Sequence, residues 1–104
     1  MKADTLNGQL GPLILATVAE ESAHGYAILQ RLKERSSGAF DLAEGTIYPA
    51  LHRLERDGLL SSKWSTGSGR RRRVYSLTRA GTSALEVRRQ EWKHFAHAVE
   101  AVMG

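Results

Sequence analysis

Between Gly58 and Thr78 the apolar residues leave helical spacing and alternate, and that one interruption restricts the folds open to the chain. Leu60, Ser62 and Trp64 fall on one side of an extended segment, with Leu59, Ser61 and Lys63 on the other. Thr66, Gly67, Ser68 and Gly69 have the chemistry of a turn, and Arg72 to Leu77, with Val74 and Tyr75, forms the returning strand. A β-hairpin is expected, with arginines at and just past its tip.

Helical spacing holds on both sides of it. Leu6, Leu10, Leu13, Ile14 and Val18 share one face of a first helix, whose regular part is expected to begin at Pro12 because proline fits a first turn. A second amphipathic segment runs from His24 to Ser36, with Tyr26, Ile28, Leu29 and Leu32 apolar, and Ser37 and Gly38 end it. The third, Glu44 to Asp57, carries Ile47, Ala50, Leu51 and Leu54 on one side and stops at Gly58. After the hairpin, Thr78 has the character of an N-cap for a last helix whose Leu85, Trp92, Phe95, Val99 and Val102 recur at helical intervals. Three helices, a hairpin and a further helix give a mainly α fold with a β-hairpin wing. Residues 1–77 form the winged helix-turn-helix and 78–104 the C-terminal helix, within one compact unit.

The 104 residues support one modest core and no second domain. No run approaches the ~18 apolar residues of a membrane span, and no signal peptide is recognisable, so a cytoplasmic protein without membrane contact is expected. The absence of cysteine removes disulfides, thiolate metal sites and a cysteine nucleophile. With few, scattered histidines and no glycine loop leading into Lys-Ser or Lys-Thr, nothing assembles a catalytic site or a cofactor site. His94 and His97 stand one turn apart, but without a strong third ligand they are read as solvated side chains and no metal is expected.

The net charge of +4 is unevenly spread. From Gly58 to Leu85 no acidic residue occurs, while Lys63, Arg70, Arg71, Arg72, Arg73 and Arg79 all do. Such a run is either a solvated, self-repelling loop or a surface that meets phosphates. Opposite the apolar stripe of the third helix lie Pro49, His52, Arg53 and Arg56, flanked by Thr46 and Tyr48, and this face is either ordinary surface or a reading head. Pro49 is awkward inside a helix, because its ring crowds the carbonyl four residues earlier, which here belongs to the adaptable Gly45.

Three strings make the chain recognisable: HGYAILQRL at His24 to Leu32, EGTIYPALHRLERDGLL at Glu44 to Leu60, and YSLTRAG at Tyr75 to Gly81. With these the chain resembles the PadR family of transcriptional regulators, in its short form. The resemblance implies that Gly45, Thr46, Tyr48 and Pro49 begin a recognition helix that faces double-stranded DNA, a face that His52 and Arg53 continue by periodicity. It also implies that Arg70, Arg71 and Arg72 sit at the wing tip against phosphates or a minor groove. Family members are homodimers held largely by the last helix, so Leu85, Trp92, Phe95, Val99 and Val102 become the expected subunit seam. They act as repressors that release an operator when a small ligand binds, and Trp92 is either plain seam or the platform for a small aromatic effector. Two-fold symmetry would match an inverted repeat with half-sites roughly 34 Å apart. The string departs from the family before Gly45, where Ala43 and Glu44 replace a common Ser-Pro, which weakens the helix cap. The alternative to a DNA reader is a winged helix used for protein interaction, and the alternative to dimerisation is a final helix folded back on its own domain.

Overall fold

The first helix begins two residues ahead of Pro12, not at it. The Leu13 amide donates to the Gln9 carbonyl at 3.1 Å, so the proline falls in the first turn, where its missing N–H forfeits no helical bond. In the computed structural model, which describes residues 8–104, this helix is α1, Leu10–Glu20. Leu6, assigned to the same face, lies outside the described residues. Ile14, Leu15 and Val18 are buried, and the one buried polar side chain of α1, Thr17, is satisfied by donating to the Leu13 carbonyl at 2.9 Å.

Ala23–His24 then form a two-residue strand, β1, which the sequence did not signal. Helix α2, Gly25–Arg35, follows directly, and His24 caps it: the Ala27 amide donates to His24 Nδ1 at 3.3 Å. Its end is closed by a Gly38 amide donating back to the Lys33 carbonyl at 2.8 Å, with Ser37 and Gly38 at positive φ of 54° and 89°. In the segment that leads to the next helix, Leu42 is buried and Phe40 packs against the core.

Helix α3, Glu44–Arg56, has no side-chain cap at Ala43, and Glu44 supplies only a negative charge to its positive end. Gly58 (φ 80°) ends it, with the Leu59 amide donating to the Leu54 carbonyl at 2.9 Å. Strands β2, Leu60–Ser65, and β3, Arg72–Leu77, pair antiparallel from Leu60↔Leu77 to Ser65↔Arg72, joined by a short 3₁₀ turn at Gly67–Gly69. β1 adds to the free edge of β3 through Ala23↔Tyr75 and His24↔Val74, giving a three-stranded sheet in the order β1-β3-β2.

Helix α4, Arg79–Met103, is capped by Thr78, whose Oγ1 accepts from the Gly81 amide at 2.9 Å and donates to the Gly58 carbonyl at 2.7 Å. Gly81 lets α4 lie directly on the hairpin: a Cβ there would sit 2.1 Å from the Leu59 carbonyl oxygen. Four residues on and on the same face, Leu85 is 3 % exposed and belongs to the core with Ile14, Ile28, Ile47, Leu51, Leu60 and Tyr75. This corrects the expectation that Leu85 opens the subunit seam. Its helical turn is the one that packs on this chain's own domain, so it cannot also meet another. The 25 residues of α4 span about 37 Å, which carries its later turns past the core of a molecule 53 × 28 × 20 Å in extent.

Candidate nucleic-acid interface

Helix α3 is partitioned as its periodicity requires. Ile47 and Leu51 are fully buried, while Gly45, Tyr48, Pro49, His52, Arg53 and Arg56 are exposed and Thr46 is half-buried. At Gly45, whose carbonyl Pro49 crowds, an added Cβ would meet nothing within 4 Å. Tyr48 does two things at once. Its ring lies on the bare backbone of Gly25, where a Cβ would stand 2.6 Å from Cε1, yet 37 % of the residue remains open to solvent. The HG pair at the start of α2 thus has a physical role: histidine caps the helix and glycine makes the seat for Tyr48.

The four arginines of the wing separate into different environments. Arg70 follows the turn and is exposed. Arg71 is also exposed, with its Cζ 4.4 Å from the centroid of the Trp64 ring, a cation–π contact. Arg72, expected at the tip with them, is the first residue of β3, and its Nη1 lies 2.8 Å from His24 Nε2. Arg73, which was not among the expected contacts, is turned inward. It donates through Nε to Ser62 Oγ at 2.7 Å and pairs with Glu55 at 3.5 Å, while Ser62 Oγ donates to the same Glu55 carboxylate at 2.5 Å. Glu55 lies on α3, so this cluster fixes the base of the wing to the candidate recognition helix. Strand alternation carries the signal: Arg71 and Arg73 share the Trp64 side of the hairpin, and Arg72 takes the other.

Titration follows the same division. Burial first, then the Arg72 and Arg31 guanidinium groups, hold the His24 imidazole below its ordinary value, which keeps it neutral as its capping role requires. Burial and, next, the Glu55 carboxylate push the Tyr75 phenol up, with Arg73 opposing.

On the far part of α4 the pattern reverses. Trp92 and Phe95 are each 58 % exposed, with ring centroids 5.9 Å apart at 41°, Val102 is 87 % exposed, and Val99 is half-buried. A shallow recess of about 300 Å³ is lined by Gln9, Arg88, Glu91, Trp92 and Phe95. His94 and His97 are exposed, and among the described residues no group of three or more histidine or acidic side chains gathers as a metal site would require. No helix among the described residues is long and apolar enough to cross a membrane.

Comparison with known proteins agrees with this geometry. Residues 14–87 match the transcriptional regulator PadR-like family. A curated transcriptional regulator of Mycobacterium tuberculosis is 42% identical over 86 residues, covering 83% of this chain and 78% of that protein. Among solved structures, a PadR family transcription regulator from Clostridium difficile superposes with a TM-score of 0.82 at 35% identity, covering 90% of this chain and 97% of the other. A PadR-like transcription factor from Bacteroides fragilis gives 0.80 at 34% identity, covering 96% and 95%.

Proposed function

The chain belongs to the PadR-like family, whose members are DNA-binding transcriptional regulators and not enzymes, and from that premise we propose that it is a homodimeric, ligand-responsive repressor of an inverted-repeat operator. The observation that carries the DNA-facing part is the joining of α3 to the wing through Glu55, Ser62 and Arg73. One rigid body then offers a polar helix face, with Gly45, Thr46, Tyr48, Pro49, His52 and Arg53, beside Arg70 and Arg71, which make no ion pair among the described residues. The helix face reads base edges and the wing meets phosphates, with Arg72 contributing from the opposite side of its strand.

The second copy covers the outer part of α4. Trp92, Phe95 and Val102, with the half-buried Val99 between them, form a stripe that one small domain leaves largely in water, and a symmetric partner offers the same stripe in return. Leu85 is no longer part of that seam. A planar aromatic effector would use the recess beside Trp92, and by spreading the α4 pair it would favour a dimer whose recognition helices are misplaced for the operator. Such a regulator works in the cytoplasm.

A footprint of the purified protein on DNA upstream of its own gene, with Tyr48→Ala alongside, tests the reading. The expected result is a protected inverted repeat that the variant loses while keeping its oligomeric state, a base contact contributing about 1–3 kcal/mol. Binding to duplex without a steep salt dependence would instead favour a protein-interaction module, and an unchanged footprint in Tyr48→Ala would remove the recognition-helix assignment.

A further inference from the structure

Trp64 is absent from every role assigned so far, yet it is placed where an exposed tryptophan needs a reason. It is 52 % exposed on β2, directly across from Arg73 and diagonal to Arg71. Arg73 is already fixed to α3 through Glu55 and Ser62, and its Cζ lies 5.4 Å from the Trp64 ring centroid. Arg71 is nearer, at 4.4 Å, and makes no ion pair among the described residues. The same face of the hairpin therefore carries a continuous ladder from Glu55 of the recognition helix, through Arg73 and the indole, to Arg71. Its last member is a guanidinium held against the indole, with no ion pair or side-chain hydrogen bond among the described residues.

We propose that Trp64 is the positioning residue of the wing: its indole holds the Arg71 guanidinium in the orientation in which it meets the DNA backbone. This rests on the wing facing DNA. A free arginine loses most of its rotamer freedom when it binds phosphate, whereas one already stacked on a ring has less left to lose. Cation–π contact leaves the in-plane N–H groups available, because the ring engages the face of the guanidinium and phosphate engages its edge. The indole thus acts through Arg71.

The test is a double-mutant cycle in the full chain, read by anisotropy of a labelled random-sequence duplex across a salt series. Arg71→Ala is expected to weaken binding and lower the salt slope by nearly one. Trp64→Leu should weaken binding about 3- to 10-fold with an unaltered melting temperature, and Trp64→Tyr, which keeps an aromatic face, should restore most of it. In the Arg71→Ala background Trp64→Leu should add nothing, since the proposed effect passes through Arg71. An equal loss in that background, or no loss from Trp64→Leu alone, overturns the positioning role while leaving the wing on DNA. No change on Arg71→Ala removes the DNA-facing wing itself, and the proposal with it.

Discussion

Helices α3 and α4 put their apolar residues to opposite use. In α3 the large aliphatic side chains Ile47, Leu51 and Leu54 are at most 9 % exposed, and what is left outside is polar or charged apart from Gly45, Pro49 and the amphipathic Tyr48. In α4 only Gly81 and Leu85 are buried, and Trp92, Phe95, Val102 and Met103 of its outer turns stand in solvent. Both helices are amphipathic, yet one stripe is satisfied within the chain and the other is not. A sequence stripe says that something will cover it, whereas which element does so depends on how far the helix runs past the core.

The largest effects should come from the core that the two helices share. Leu51→Ala and Leu85→Ala are each expected to cost about 2–5 kcal/mol of unfolding free energy in denaturant titrations. Val102→Ala, measured at monomer-favouring dilution, should change it by no more than about 0.5 kcal/mol. A silent Leu85→Ala would return that residue to the outer stripe and erase the division within α4.

The next effect concerns the stripe itself. Replacing both Trp92 and Phe95 by glutamate should leave the helical circular dichroism in place and yield a monomer in sedimentation, with operator affinity lower by about 100-fold or more once two half-sites no longer bind together. A tight dimer after both changes would place the interface elsewhere on the molecule.

A smaller change should sharpen the account of α3. Gly25→Ala puts a Cβ where the Tyr48 ring now lies, and because that ring can swing outward the fold should survive. Specific operator binding is expected to weaken by about one order of magnitude, the scale of a single misplaced base contact, with random-duplex binding nearly unchanged. Equal losses on both duplexes would mean that Tyr48 is a general contact and not a reading one.

The smallest effect is one of pH. The folded chain holds His24 below its ordinary 6.5, so on acidification the unfolded chain takes up that proton first. The contribution to stability is therefore complete above the unfolded value and is lost as pH falls through the lower, folded one. His24→Asn retains a capping oxygen without titrating, so its melting temperature should fall less than that of the wild type between about pH 7.5 and about pH 5.5. Parallel declines would show that the cap is indifferent to imidazole protonation.

What the residues state locally was legible from the chain alone. The period change at Gly58, the Thr78 cap, the Gly38 and Gly58 stops, the span Arg72–Leu77 and the solvent face of α3 all depend on neighbours a few positions away, so composition and spacing suffice to read them. Strand alternation in the wing was equally local, and it already separates Arg72 from Arg71 and Arg73. Other features required the assembled fold. Two residues at Ala23–His24 are too few to show a period, and they become a strand only because β3 presents an open edge. Glu55, Ser62 and Arg73 are bonded across α3, β2 and β3, and no spacing rule links them. Leu85 and Phe95 look alike in a helical stripe. Their fates differ because Gly81 brings the base of α4 onto the hairpin while the later turns outrun the core, and burial depends on that distance and not on the residue's own hydrophobicity.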